Sequence, residues 1–375
     1  MDANHKGQLS FHIGADSAKY EPVYRRTELM DHRLEDIERG KYTFKHILNP
    51  KYIGWLRRRA FIRSGHHTLH IEGNMLTEEQ VADVLENPSA GVEDSYSKED
   101  VRNWERAMKF VDSISEHPDI PLNDLLIRAI HNLILGPNDR LNLPGDYRRG
   151  DARVRHPLTR RPVYLGPVAG DVPDLMYRFG RWLGDDASSI HPVLAAGIAH
   201  LRLVEIHPFA DGNGRVARAL TTLMLQRSGY SFNRLLALER YFDTDLLKYC
   251  EAISNTVGKQ FEEGSDLTEW LEYFTFALSV EIALASDDVI DLQIMMEKWH
   301  PLLSRKGYVE RHRDILAYAR INGSIRPRDV VKIGNISAVT ASGDLKRLVN
   351  AGLLEAEGYS RARVFRPSED FWEKL

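Results

Sequence analysis

The chain has 375 residues, a single cysteine and a net charge of −4, with 43% hydrophobic and 28% charged residues. That size suits roughly two or three domains with ample core, and the charge balance gives no global reason to expect nucleic-acid binding. With Cys250 alone no intrachain disulfide can form, and an oxidising compartment gains no support. The opening MDANHKGQLSFHIG lacks a basic region followed by an apolar run, so it does not read as a secretory signal. No apolar stretch approaches the length of a membrane span. A cytoplasmic protein without membrane partners is expected.

In chain order, residues 1–28 are polar with scattered aromatics and read as an arm. Leu29 to Glu38 suggests a short helix ended by Gly40, and Asn49-Pro50 breaks the chain before the next. From Trp55 onward Leu56, Ala60, Phe61, Ser64, Thr68 and Ile71 recur at helical spacing. Arg57-Arg58-Arg59 on this helix reads as a solvated face, and Gly73-Asn74 as its left-handed terminator. His66 and His70 stand four apart, a metal-ligand spacing, but no third ligand is evident nearby, so both read as structural. Thr77-Glu78-Glu79-Gln80 has capping-box form and opens a helix to Glu86, stopped by Asn87-Pro88. A polar loop runs to Ser97. Val101, Trp104, Met108 and Val111 mark a helix that ends at His117-Pro118. Leu122, Leu126, Ile130 and Leu133 mark the next, closed by Gly136-Pro137. The segment 137–170 is rich in Gly, Pro and Arg without helical period, and a loop of that length is more often functional than idle. Val172 to Leu183 is amphipathic, and Pro192 to Ile206 is almost wholly apolar, as a central buried helix should be.

That helix runs into His207-Pro208-Phe209-Ala210-Asp211-Gly212-Asn213-Gly214-Arg215-Val216-Ala217-Arg218, which opens a further helix. Gly212, Asn213 and Gly214 can turn their N–H groups inward, because glycine tolerates positive φ. Such a nest on a helix N-terminus is an anion site, most often for phosphate. Arg215 and Arg218 leave the helix three residues apart, toward one volume, and two guanidiniums with a nest form a polyphosphate clamp. Asp211 would be repelled by phosphate unless a divalent cation stood between them, which Mg²⁺ does through one carboxylate and phosphate oxygens. His207 is the nearby side chain whose ordinary pKa suits a general base. The set amounts to a phosphoryl- or nucleotidyl-transfer site.

The string HPFADGNGRVAR resembles the signature of the Fic (filamentation induced by cAMP) family, His-Pro-Phe-x-Asp/Glu-Gly-Asn-Gly-Arg-x-x-Arg, at every defined position. The resemblance implies an all-helical fold that transfers AMP from ATP to a hydroxyl side chain of a target protein. It further implies that His207 deprotonates that hydroxyl and that Asp211 holds Mg²⁺. Gly212, Asn213 and Gly214 would cradle the α- and β-phosphates, Arg215 would bind the phosphate chain, and Arg218 would engage the γ-phosphate. The ATP-binding run would continue through Val216 and Ala217. The phosphorylating Doc branch has a different loop, lacking the Gly-Asn-Gly-Arg run. Thr68, Glu72 and Gly73 are similar to the family's inhibitory motif, Ser/Thr-x-x-x-Glu-Gly/Asn, whose glutamate pairs with the second signature arginine when it lies upstream. Glu72 would then face Arg218 and block the γ-phosphate. Gly145-Asp146-Tyr147-Arg148 resembles the entry to the family's flap, a β-hairpin holding the target segment. Its arms would be Arg153, Val154 and Arg155, then Pro162, Val163 and Tyr164. The six arginines at 148, 149, 153, 155, 160 and 161 depart from the family pattern and suggest an acidic target segment. Tyr241 and Tyr249, with Asn255 beside them, fall near where the family closes over adenine.

Asp266 caps a helical stretch carrying Trp270, Leu271, Phe274 and Leu278, which continues toward Trp299. His300-Pro301 marks a boundary. Helices over 311–322, 326–333 and 337–351, then a two-stranded tail, resemble a winged helix-turn-helix. Residues 305–366 hold thirteen Lys and Arg against six Asp and Glu. Charge gathered in one module fits contact with a phosphate backbone, and docking on proteins or on the Fic core is the alternative.

The expectation is therefore a mainly α protein. It has a helical N-terminal region with the inhibitory helix (1–109), a Fic catalytic core with a small flap (110–290) and a C-terminal winged helix-turn-helix (301–375). It is expected to be a protein adenylyltransferase using ATP and Mg²⁺, held back by Glu72. Its partners would be a hydroxyl-bearing target, the chain itself through auto-modification or homo-oligomers, and DNA through 301–375. The alternatives are removal of AMP by the same site, or a DNA-binding regulator whose core senses nucleotide.

Overall fold

A computed structural model of the chain describes residues 19–44, 50–86, 95–137, 143–155, 161–359 and 363–368. Most of the expected N-terminal arm, the breaks at Asn49 and at Asn87-Pro88, and Arg160 lie outside them. The described residues are mainly α-helical, with two antiparallel two-stranded sheets. No helix among them is long and apolar enough to cross a membrane.

The first helix, α1 (Glu28–Thr43), starts where the Thr27 hydroxyl accepts from the Met30 N–H. It runs through Gly40 rather than ending there. A Cβ at Gly40 would run into Ile282 of the long helix α11 (Thr268–Ile294), so this glycine serves close packing and not termination. Helix α2 (Pro50–Ile71) begins earlier than Trp55, with Pro50 at a position that needs no N–H. Of its three arginines, Arg57 is exposed and Arg58 partly so, as a solvated face would be, whereas Arg59 is mostly buried. Arg57 bonds the Asn233 carbonyl and Arg58 pairs with Glu86, while Arg59 is bound to Asp288 and to the Ile321 carbonyl. Helix α3 (Glu78–Glu86) opens with the expected capping box, the Thr77 hydroxyl accepting from Gln80 N–H and Gln80 Oε1 from Thr77 N–H. Helices α4 (Ser95–Ser115) and α5 (Asp124–Leu135) follow. The expected domain boundary at 109/110 therefore cuts α4. Helices α1 to α11 all contribute to one apolar core.

Strands β1 (Arg153–Arg155) and β2 (Pro162–Leu165) form the hairpin read from the sequence. Helix α6 (Val172–Asp185) covers α7 (Pro192–Ile206), which is buried along almost its whole length beside α8 (Asn213–Arg227). Helices α9 (Leu238–Thr244) and α10 (Leu246–Val257) lead to α11, whose Trp270 indole N–H donates to the Gly197 carbonyl of α7 at 2.7 Å.

Helix α11 continues through a π-helical turn, Met295–Trp299, into α12 (His300–Arg305), so Pro301 starts a helix instead of breaking one. Then come α13 (Glu310–Asn322), α14 (Pro327–Gly334), α15 (Ala338–Asn350) and the antiparallel pair β3 (Leu354–Glu357) and β4 (Val364–Pro367). Leu303, Ile315, Leu316, Leu345, Leu348 and Phe365 belong to a second core, and Trp299 packs against both cores. This module rests on α2 and α3. The Asp314 carboxylate accepts from Lys51 at 2.6 Å and from the Tyr52 hydroxyl at 3.1 Å, and Trp55 meets Tyr318 edge-on. Arg326, Arg328 and Lys332 of the α14 region pair with Glu79, Asp83 and Glu86 of α3. Much of the positive charge that pointed to a phosphate backbone is thus neutralised within the chain.

Candidate functional site

Helix α7 ends on His207, which adopts left-handed geometry (φ 49°, ψ 56°) while its N–H still reaches the Leu203 carbonyl at 3.0 Å. That geometry reverses the chain into the 208–212 turn. The turn is held from within by Asn213, whose Oδ1 accepts from Phe209 N–H and whose Nδ2 donates to the Phe209 carbonyl, each at 2.9 Å. Phe209 is fully buried and stacks on His131 of α5, with ring centroids 3.7 Å apart. His131 Nδ1 accepts from Gly145 N–H at 2.9 Å. Its Nε2 therefore carries the proton and donates to the Asp211 carbonyl at 3.1 Å. Nothing in the spacing of the sequence pointed to His131.

The His207 ring has Nδ1 3.2 Å from the Val204 carbonyl. A carbonyl only accepts, so Nδ1 bears the proton and Nε2 keeps its lone pair. Burial holds the His207 pKa below its usual value, with Arg148 adding to the effect against Glu72 and Asp211. The ring thus stays neutral further into acid than an exposed histidine, with Nε2 able to accept a proton.

Gly212 (φ 77°) is the N-cap of α8, and the first-turn N–H groups that follow it have no carbonyl within the helix to bond. Arg215 is 7% exposed and donates to Asp211 Oδ2 at 2.9 Å, with Asp100 at 3.7 Å. Arg218 is 3% exposed. Its Nε donates to the Thr68 hydroxyl at 2.7 Å, and its Nη2 donates to the Thr68 carbonyl at 3.1 Å and to Glu72 Oε1 at 2.6 Å. Burial pushes the Glu72 carboxyl up, but Arg218 and Arg215 together outweigh it and hold it below the ordinary glutamate value. Gly214 faces this pair: a Cβ there would lie 2.6 Å from Glu72 Oε1 and 3.0 Å from Arg218 Nη1. Gly73 ends α2 with φ 96° and borders, with Glu72, Asp100, Asp211 and Arg215, a pocket of about 350 Å³. Val216 and Ala217 are buried on the inner side of α8.

The hairpin is fastened beside the turn by Tyr164, whose hydroxyl donates to the Glu205 carbonyl at 2.7 Å. Leu165 N–H bonds Lys259 and its carbonyl accepts from Phe261 N–H. Val154 stands across from Tyr164, and a register shift separates it from Arg155. Arg149, Arg153 and Arg161 are exposed, as an acidic segment would require, and Val163 is half-buried. Arg148 does not belong to that set. It is 7% exposed, and its guanidinium donates to the carbonyls of His207 (2.8 Å), Gly150 (2.7 Å) and Pro167 (2.5 Å). It binds the flap entry to the end of α7.

The adenine candidates are scattered. The Tyr249 hydroxyl bonds His200 Nε2 at 2.9 Å beside Arg218, with its ring stacked on Phe242. Tyr241 packs against Tyr273 and Phe276, and Asn255 donates to Glu269 at 2.8 Å. None of the three lines the pocket that Glu72, Asp211 and Arg215 share.

The sequence pattern of the Fic/DOC family matches residues 121–225, which run from α5 through α8. Protein adenylyltransferase Fic of Drosophila melanogaster is 35% identical over 208 residues, covering 54% of this chain and 40% of the relative. Its counterpart from Drosophila ananassae is 36% identical over 181 residues, covering 46% and 34%. The chain thus spans about two fifths of the length of these curated relatives. Among solved structures, a Fic family protein from Desulfovibrio desulfuricans G20 aligns with TM-score 0.62 and 23% identity over 93% of this chain and 99% of that one. Fic-1 from C. elegans aligns with TM-score 0.56 and 24% identity over 68% and 72%. At these identities the two structures speak to the fold.

Proposed function

The chain carries a Fic/DOC family domain, and from that premise we propose that it is a protein adenylyltransferase, moving AMP from ATP to a Ser, Thr or Tyr hydroxyl. The observation that carries this reading is one turn and helix start that gathers His207, Asp211, the α8 N-terminus, Arg215 and Arg218.

The target hydroxyl attacks the α-phosphorus while the bond to the β-phosphate oxygen breaks and pyrophosphate leaves. His207 Nε2 takes the hydroxyl proton, since Nδ1 already carries one for Val204. The first-turn N–H groups of α8 and Arg215 hold the phosphate chain, placing stabilising charge where negative charge builds. Asp211 fits Mg²⁺. It is a hard oxygen donor, 49% exposed, on a pocket whose wall also bears Asp100, and the ion would neutralise phosphate charge there. Arg218 is offered to the γ-phosphate only when Glu72 lets it go, so Glu72 restrains the reaction.

The flap hairpin would pair with an extended segment of the target, and the exposed Arg149, Arg153 and Arg161 favour an acidic one. The chain itself is a candidate target. Removal of AMP by the same site is a second reading, favoured by the Glu72 side chain, which is 28% exposed on the same pocket as Asp211, where it can orient a water. We read the winged-helix-like module as a dock for α2 and α3 before a DNA reader, because Arg326, Arg328 and Lys332 are paired with α3. The exposed residues of α15 and its N-cap, among them Ser337, Val339, Thr340, Lys346 and Arg347, would be available to a duplex.

The test is incubation of Glu72→Gly chain with Mg²⁺ and ATP labelled on the α- or the γ-phosphate, followed by denaturing gels. Label retained on protein from the α-position alone is expected. Retention of γ-label would mean phosphorylation, and no label from either would remove the proposed activity toward itself.

A further inference from the structure

The helix that brings Thr68 and Glu72 to Arg218 also carries three histidines, and two of them, His67 and His70, meet one carboxylate across the α2–α9 contact. His67 Nδ1 is 2.7 Å from Asp243 Oδ2, and His70 Nδ1 is 2.8 Å from Asp243 Oδ1. His66 stacks on His70 with ring centroids 5.6 Å apart, and lies 4.7 Å from the His67 ring. One ligand atom each from His66, His67 and Asp243 falls within 4.8 Å of the other two. The Asp243 side chain is 6% exposed and that of His67 14%. None of these groups has a part in the transfer chemistry.

We propose that His66, His67 and Asp243 form a Zn²⁺ site that ties the inhibitory helix α2 to α9, with His70 or water in the fourth position. The ligand set is two imidazoles and a carboxylate, the nitrogen and oxygen donors that Zn²⁺ takes, and an octahedral all-oxygen cation such as Mg²⁺ would be poorly served by it. Ligands of a tetrahedral Zn²⁺ stand about 3.3 Å apart, given bonds of about 2.0 Å. The His67–Asp243 contact is shorter than that and the three ligand atoms lie within 4.8 Å of one another, so side-chain rotations can admit the ion.

The outer contacts are those a metal-bound histidine needs. His66 Nδ1 is 2.8 Å from the Leu76 carbonyl, so it carries the proton and leaves Nε2 with a lone pair. His67 binds through Nδ1, and its Nε2 stands 3.7 Å from Glu78 Oε1, within reach of a carboxylate that would take the N–H. A carbonyl or carboxylate on the far nitrogen fixes tautomer and ring orientation and raises ligand basicity. Two residues beyond His70 is Glu72, and one beyond His67 is Thr68, so an ion here would steady both contacts to Arg218.

The full chain, stripped with a chelator and desalted, is titrated with Zn²⁺ in the presence of Mg²⁺. Bound zinc is counted by mass spectrometry and affinity measured by competition with a chromogenic chelator. Wild type and Asp211→Asn should each retain one Zn²⁺ per chain. His66→Gln and Asp243→Asn should bind it about tenfold more weakly or worse. Co²⁺ in place of Zn²⁺ should give the visible absorption of a four-coordinate site in wild type and not in those two variants. Circular dichroism checks their folding, and His66→Gln, at a half-buried position, decides the matter if Asp243→Asn fails to fold. Zinc binding no tighter in wild type than in His66→Gln overturns the proposal. So does loss of zinc in Asp211→Asn, which would place the ion at the phosphate pocket.

Discussion

Arg218 Nη2 lies 2.6 Å from Glu72 Oε1, while the same guanidinium is held by both the hydroxyl and the carbonyl of Thr68. The arginine is almost fully buried, and its charge is answered by a residue that precedes it by 146 positions. A guanidinium so engaged cannot also clasp a phosphate. Glu72→Gly should therefore raise auto-adenylylation, and adding Arg218→Ala should abolish most of the gain. A charge-assisted hydrogen bond contributes about 1.5–3 kcal/mol, which corresponds to roughly 10- to 100-fold in rate. Equal label incorporation by wild type and Glu72→Gly at saturating ATP would sink the restraint by Glu72.

His207→Ala should lower transfer by about 10²- to 10⁴-fold while ATP binding persists. The pH profile gives a finer check. Burial lowers the His207 pKa, so the ring stays neutral, and competent as a base, at pH values where an exposed histidine would be half protonated. Glu72 acts the other way, so Glu72→Gly lowers that pKa further. The acid limb of kcat/KM for this variant should fall below about 6.5, the ordinary histidine value. An acid limb at or above that value would mean another group limits the rate.

The chemistry of the turn was readable because twelve contiguous residues hold it, and a helical fold followed from the periodicity on either side. What the sequence concealed was long-range. His131 and Arg148 brace the turn from other elements, and neither has a spacing that announces it. Gly40 looked like a helix stop because the reason for it, Ile282, comes 242 residues later. The basic residues of α14 looked like a nucleic-acid footprint because their partners on α3 are about as far away in the chain. His66 and His70 showed no partner in the sequence because Asp243, which α9 brings within hydrogen-bond distance of His67 and His70, lies more than 170 residues further on.

Arg148 offers a test of bracing against docking. Arg148→Ala would leave the carbonyls of His207, Gly150 and Pro167 without their donor, at a cost of about 3 kcal/mol or more. With an unfolding entropy of about 2.1 cal/mol/K per residue, a chain of this size shifts by about 1–2 °C per kcal/mol, so Tm should drop by roughly 4 °C or more. Arg148→Lys should recover little, since an ammonium cannot present the same fork. Thermal unfolding that leaves both variants within about a degree of wild type would return Arg148 to the target-docking set.

His200 predicts how the core responds to acid. It lies between α7, α8 and α10, its Nδ1 3.1 Å from the Thr221 hydroxyl and its Nε2 2.9 Å from the Tyr249 hydroxyl, with the ring stacked on Trp270. Burial, with Arg218 nearby, brings its pKa down to about 3. In the unfolded chain the same group titrates near about 6.5. Between those values the unfolded state binds the extra proton, so stability falls as pH falls. The loss begins near the unfolded pKa and grows until the folded pKa is reached. By pH 5 it amounts to about 2 kcal/mol, from 1.36 kcal/mol per unit. His200→Gln keeps polar atoms near both hydroxyls but carries no titrating group. Whatever its stability at pH 7, its unfolding free energy should fall by about 2 kcal/mol less than that of wild type between pH 7 and pH 5. Urea titrations at the two pH values provide the comparison. Parallel losses in the two proteins would show that His200 is protonated in the folded state at pH 5 and that its burial is not what the acid response reports.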